Sequence, residues 1–297
     1  MARHDGVMVH ACETCGAQFE QRPEVCPICD DPRQWVPEDG QRWTTREALA
    51  EEHDHVVRRD GPFEGVGVEP AFAIGQRALL VPHGAGRLMW DCVPLVGDAE
   101  IGALTAIAIS HPHYYTGMVD WAQRFDCPVY LHADDREWIT RPDRRLELWD
   151  GETLDLGDGL TLIRCGGHFA GGTVLHAGDA LLAGDIVQVI PDRGWVGFMY
   201  SYPNLIPLPE AAVRAIANAL EPYEFESIYG AWWDRVVRRA APARSARPTA
   251  GRSRTRRGAR PGPTRRHRSC RTRTARGPWR SREPRPPASG SGWGSCT

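Results

Sequence analysis

The sequence predicts an α+β fold, a layered αββα sandwich preceded by a small four-cysteine metal knuckle and followed by a disordered tail. Three observations carry this. Short apolar runs broken by turn residues alternate with amphipathic helical stretches, the pattern of strands layered with helices. Four of the nine cysteines fall within eighteen residues as two CxxC pairs. Composition then changes abruptly near residue 240.

The knuckle comes first, over residues 8–37. Cys12-x2-Cys15-Gly16 and Cys26-Pro27-x-Cys29 each form a tight turn that aims two thiolates at one centre. Ten residues between Cys15 and Cys26 allow a small hairpin to return to the metal. Two such turns complete a tetrahedral S₄ site, which contributes roughly 10–16 kcal/mol of apparent binding energy and lets about thirty residues fold. In a reducing compartment this pattern reads as metal binding rather than disulfides. The module resembles zinc ribbons and short rubredoxin-like domains. Zinc is the expected ion, although S₄ geometry also accepts iron. Its expected role is structural or docking. Electron transfer is a second reading, and the acidity of Glu13, Glu20, Glu24, Asp30 and Asp31 argues against nucleic acid.

Residues 38–61 read as a helical connector. Thr44 and Glu47 have capping-box spacing, and the helix would run through Ala48–Ala50 to about His53. Arg58–Gly61 is a polar break, which sets the start of the second domain, 62–240. Within it, strands are expected at Ala78–Val81, Arg87–Cys92, Leu104–Ile109 and Val129–His132. Met118–Phe125 has helical spacing. A hairpin-rich stretch follows: Leu146–Trp149, Thr153–Leu156, Leu160–Cys165, Thr173–His176 and Ala180–Ala183. Pro209–Leu220 is an amphipathic helix, and Glu226–Tyr229 is the last expected core strand.

The formal charge of −2 averages two unlike parts. All 36 basic residues are arginine; 16 of them, with one acid, lie in 241–297. That segment carries +15 and lacks Leu, Ile, Val, Met, Phe and Tyr, so it cannot offset its chain entropy by burial. The first 240 residues carry −17. A basic arm is one reading of the tail. Arginine without lysine marks a GC-rich coding sequence, and wrong-frame translation of such DNA yields Arg, Pro, Gly, Ala, Ser and Thr. A frameshifted C-terminus is therefore the preferred reading. The N-terminus has no apolar signal region and no stretch approaches the roughly 20 apolar residues of a membrane span. A cytoplasmic protein without a membrane partner is expected.

The chemistry concentrates at strand ends. Leu104–Ile109 runs into Ser110–His111–Pro112–His113, and two histidines at i, i+2 face the same side, ready to grip one metal. His168 sits in the glycine-rich stretch 165–172. Asp185 follows Leu181–Gly184, and Asp91 ends Leu88–Trp90.

With these motifs in order, residues 63–239 resemble the metallo-β-lactamase superfamily. Met89–Trp90–Asp91 matches its early strand ending in Asp. Ser110 to Thr116 lies where the family has HxHxDH. Gly166–Gly167–His168-x-x-Gly171 with Thr173 matches its GHTxG-type loop, and Leu182–Asp185 its strand-end Asp, which commonly bridges two metals. Ile228–Trp232 stands where a late strand and histidine are expected. The resemblance implies the αββα sandwich, with His111, His113, His168 and Asp185 as metal ligands.

The departures matter as much. Tyr115, Thr116 and Ala231 or Trp232 replace three of the four second-metal ligands, so a single metal is implied, with Thr116 free to cap the helix beginning near Gly117. One zinc is expected here and one in the four-cysteine site, and iron fits either. A His₃ site with an open position lowers the pKa of its water to about 7. The lost Asp is the orienting base of the superfamily. Its work falls to Asp91 or Asp185, with Tyr115 donating to an oxyanion.

The expected activity is mononuclear hydrolysis of a small ester, thioester or lactone-like molecule. An iron oxygenase acting on persulfides is one alternative, and a degenerate, non-catalytic metal binder is another. Trp195, Phe198, Tyr200, Tyr202, Trp232 and Trp233 are expected as pocket wall, and His83, His132 and His176 as structural.

Overall fold

The computed structural model describes residues 7–97 and 101–238. The predicted tail, 241–297, lies outside the described residues. The four-cysteine module and the sandwich belong to one compact unit.

The module is a three-stranded antiparallel sheet, β1 (His10–Cys12), β2 (Gln18–Phe19) and β3 (Trp43–Thr45), with the short α1 (Pro27–Asp30) carrying the second cysteine pair. Thr45, one residue later than the spacing suggested, caps α2 (Arg46–Glu52) by accepting from the Ala48 N–H at 3.2 Å. Thr44 is already a strand residue, paired with Ala11.

A seven-stranded sheet follows. Its antiparallel half contains β4 (Asp54–Asp60), β5 (Phe63–Glu69), β6 (Ala78–His83) and β7 (Gly86–Trp90). Its parallel half continues through β8 (Leu104–Ala108), β9 (Val129–His132) and β10 (Leu146–Trp149), with α3 (Met118–Phe125) in the crossover. The polar stretch Arg58–Gly61, expected as a break, is the end of edge strand β4 and its turn into β5. Polar side chains suit an edge strand, which presents one face and one side to solvent. β5 was hidden for another reason. Its Gly65 and Gly67 leave room for the Trp233 ring, which a Cβ at either position would meet at 2.6 or 2.9 Å.

The second sheet has the order β11 (Thr153–Gly157), β12 (Leu160–Arg164), β13 (Thr173–Ala177), β14 (Ala180–Gly184), β19 (Ser227–Gly230) and β20 (Val236–Arg238). The chain leaves β14 through two short hairpins, β15 (Gln188–Val189) with β16 (Val196–Gly197) and β17 (Met199–Ser201) with β18 (Ile206–Pro207). It then forms α4 (Glu210–Leu220) and returns as β19 (Ser227–Gly230) parallel to β14, with β20 (Val236–Arg238) closing the edge.

Three apolar clusters define the layers. Between the sheets, Leu79, Leu88 and Ala106 of the first meet Leu162, Leu175 and Leu182 of the second. On the outer face of the first sheet, Met89 and Ile107 pack with Met118, Trp121 and Ala122 of α3. On the outer face of the second, Val174, Leu181 and Ile228 pack with Ile216 and Leu220 of α4. Alternation along each strand sends successive side chains to opposite clusters, which is why the sheets are apolar on both faces. The architecture is the four-layered αββα sandwich that the sequence predicts, with the four-cysteine module at its N-terminus.

Buried Arg77 couples the sheets. Its Nε donates to Asp60 at the end of β4 (2.6 Å) and its Nη1 to the Gly230 carbonyl of β19 (2.8 Å). Among the described residues, no helix is long and apolar enough to cross a membrane.

Candidate metal centre

Each motif residue sits just past the C-terminal end of a strand: Asp91 after β7, His111 and His113 after β8, His168 after β12 and Asp185 after β14. The fold brings these ends together. One ligand atom from each of His111, His113 and His168 lies within 4.8 Å of the others, and all three side chains are buried. Asp185 stands outside that trio but beside two of its members. Its Oδ1 is 3.3 Å from His111 Nε2 and 3.9 Å from His168 Nε2.

These donors suit a cation. His111 Nε2, His113 Nε2 and Asp185 Oδ1 are buried, converge, and have no hydrogen-bond partner. Buried polar atoms are normally satisfied, so a group of orphans around one point is the mark of a metal site. Burial is the main force that pushes the pKa of His111 and His113 well below the ordinary value, with the neighbouring His168 and Arg33 lowering both further. Burial first and Arg33 second bring His168 down to about 3. The imidazoles are therefore neutral and able to ligate near pH 7. Burial, then the neighbouring Asp91, raises Asp185 to about 7, and a bound cation reverses that shift.

Behind the ligands, Asp91 is a support. It adopts φ 60° and turns its Oδ1 to accept the Ser110 N–H at 2.8 Å, while Ser110 Oγ bonds His111 Nδ1 at 2.9 Å. This leaves His111 Nε2 facing the centre. Gly184 is required here: at φ +54° its Cβ would lie 2.7 Å from Ser110 Oγ. Burial raises Asp91 to about 7.

The two tyrosines that follow the histidine pair face opposite ways. The turn Pro112–Tyr114 is 3₁₀, and it aims Tyr114 at the centre. Its hydroxyl is buried and unpaired, it lines the cavity beside Asp185, and burial followed by Asp185 holds its pKa well up. Tyr115 instead joins the apolar cluster under α3, with Asp135 as its charged neighbour. Thr116 does not cap α3, whose N-cap is Gly117; its Oγ1 donates to the Gly16 carbonyl of the cysteine module at 2.5 Å.

The predicted pocket wall divides. Tyr200, Tyr202 and Trp232 line a cavity of about 70 Å³ with His113, His168 and Asp185. Trp232 is fixed there by donating Nε1 to the Ile74 carbonyl at 3.0 Å. Trp233 lies on β5, Phe198 packs in the α4 cluster, and Trp195 is exposed. His83, His132 and His176 bond to carbonyls of Leu156, Gly151 and Glu224 and stand apart from the centre.

In the module, Cys12, Cys15, Cys26 and Cys29 converge, with Cys12 Sγ 3.6 Å from Cys29 Sγ and Cys15 Sγ 3.6 Å from Cys26 Sγ. A tetrahedral zinc about 2.3 Å from each sulfur sets sulfurs about 3.8 Å apart, so the four thiols fit an ion. The segment after Cys29 reaches the histidine centre. Arg33 is held by Asp31 (2.5 Å), lies 3.8 Å over the Phe169 ring, and donates to the His168 carbonyl at 2.7 Å. Gln34 lines the cavity. Neither was expected, because contacts made across the fold leave no spacing signal in the sequence.

The protein YmaE of Bacillus subtilis (strain 168), described as uncharacterized, is 44% identical over 250 residues, spanning 78% of this chain and 91% of its own. The chain belongs to the YmaE family. No family model matches it. Among solved structures, it is similar to DIM-1 metallo-β-lactamase (14% identity, 62% of this chain and 92% of that one, TM-score 0.49). It is also similar to TTHA1623 in a di-iron-bound form (20% identity, 56% and 90%, TM-score 0.40). A third is ST1585 of Sulfolobus tokodaii, an archaeal metallo-β-lactamase superfamily protein (16% identity, 55% and 75%, TM-score 0.41). In this YmaE-family chain, the fold assignment rests on its own four layers and on the strand ends that carry the ligands.

Proposed function

We propose that the protein is a hydrolase working through one metal ion, on a small ester, thioester or lactone-like molecule. The observation that carries this is the trio of orphaned buried atoms, His111 Nε2, His113 Nε2 and Asp185 Oδ1, beside His168 and an open cavity. His111, His113 and His168 would hold the ion, with Asp185 beside it. A zinc-like ion held there polarises a carbonyl and brings the pKa of a water to about 7. Tyr115, Thr116 and Ala231, at the second-metal positions, are buried in apolar contacts or tied to other parts of the chain, which supports a single ion.

The remaining work falls to the chain itself. Tyr114 presents a hydroxyl from a dry site and can donate to the oxygen on which charge develops. Asp185 can accept a proton from the attacking water and orient it. Asp91, through Ser110, fixes His111. The 70 Å³ cavity admits only a reactive end. It shares Gln34, Ile74 and Tyr202 with a groove of about 660 Å³, a size that takes the rest of a drug-sized molecule.

The test is His111→Ala in the full chain, assayed for metal by elemental analysis and for hydrolysis of an aryl ester, a thioester and a lactone. The expected result is loss of one equivalent of metal together with activity. A variant with full metal content and full turnover would overturn the reading. The iron alternative predicts oxygen uptake with a persulfide, which the same preparation measures.

A further inference from the structure

Two hydrogen bonds connect the cysteine module to the loops that carry the histidines, and each starts from a different CxxC turn. The first turn, Cys12–Gly16, receives Thr116 Oγ1 at the Gly16 carbonyl, 2.5 Å away and three residues beyond His113. The second turn ends at Cys29. Four residues later Arg33 Nη1 reaches the backbone carbonyl of His168 itself, at 2.7 Å. The Arg33 guanidinium is nearly buried and braced on several sides. Asp31 grips it through two bonds, the rings of Phe169 and Trp138 flank it at 3.8 and 4.8 Å, and Ser201 Oγ holds its carbonyl at 3.1 Å. An ion bound by the four thiols fixes both turns relative to each other, and with them the spacing between the His111/His113 loop and the His168 loop.

We propose that the four-cysteine centre governs how firmly the histidine centre retains its metal, with Arg33 and Thr116 as the positioning residues that connect them. The inference rests on the reading of both clusters as metal centres. It differs from a docking role because, among the described residues, only these two hydrogen bonds join the module to the histidine loops. Thr140 Oγ1 also ties the module to the sandwich, at the Gln18 carbonyl (2.8 Å), but on neither histidine loop.

The experiment loads the full chain with Co²⁺, whose tetrathiolate and His/Asp complexes absorb differently, and follows loss from each into excess chelator. Arg33→Met keeps the stacking length and removes the donor. It should release the histidine-bound ion about tenfold faster, the size of one hydrogen bond from a charged donor, with the thiolate band unchanged. Thr116→Val should do the same. Arg33→Lys, which keeps one cationic donor, should fall between. Cys29→Ser should abolish the thiolate band and speed loss from the histidines at least as much as Arg33→Met. Thr140→Val should stay within twofold of the unmodified protein. Unchanged release in Arg33→Met and Thr116→Val would overturn the coupling, as would equal acceleration in Thr140→Val. An unmodified protein with no histidine-centre band would overturn both the coupling and the metal reading beneath it.

Discussion

Tyr114 and Tyr115 show how one residue decides a site. Both follow the histidine pair, and the resemblance led to the expectation that Tyr115 would donate to an oxyanion. The 3₁₀ turn at Pro112–Tyr114 rotates the chain so that Tyr114 faces Asp185 and Tyr115 faces the core. Tyr114→Phe should lower kcat about 100-fold, the usual scale for one oxyanion donor, with KM little changed. Tyr115→Phe should leave kcat within about twofold. Equal losses in steady-state kinetics would show that neither hydroxyl acts directly. His55 poses a separate question of stability. Its ring lies tilted against Trp121 (centroids 5.4 Å apart, 48° between planes) with both ring nitrogens buried and unpaired, and burial lowers its pKa. The folded protein therefore resists protonating it, whereas the unfolded chain takes the proton below about pH 6.5. Stability should fall as pH drops through that value. His55→Phe should add about 1 kcal/mol and flatten the decline in urea unfolding between pH 7 and pH 5. The convergence of His111, His113, His168 and Asp185 was legible because each follows a strand in order. Arg33 was not, because its partner is 135 positions away.

Among the elements, helix α3 and strands β9 and β10 stand where apolar spacing put them, since burial of one face dictates that spacing. Strands β4, β5 and β20 were illegible for different causes. The first is a polar edge. The second is interrupted by glycines that accept Trp233, and the third is too short to show a period. Of these, β4 matters most, because its last residue anchors Arg77. Arg77→Met would leave Asp60 buried without its cation and should cost about 3–5 kcal/mol by denaturant titration. Arg77→Met combined with Asp60→Leu should recover most of that loss. A double variant no better than the single one would assign the cost to the Gly230 bond instead.

For the molecule as a whole, the four-cysteine module is more than an appendage. Gln18 donates to the Pro94 carbonyl and accepts from Arg141, and Asn204 donates to the Pro32 and Gln34 carbonyls. β3 pairs with β1, so a chain beginning at residue 38 would leave that strand without its neighbour. The full chain should unfold in one calorimetric transition, with both metals released together. A 38–240 chain should show a lower midpoint and a weaker histidine centre. Two resolved transitions in the full chain would contradict this.

The bond from Arg33 to His168 has a consequence for how the protein is born. Ribosomes add roughly 5–20 residues per second, so His168 emerges roughly 7 to 27 seconds after Arg33. By then the cysteine turns have had time to close on an ion. On the reading of both clusters as metal centres, the order of synthesis favours filling the four-cysteine centre before the histidine centre.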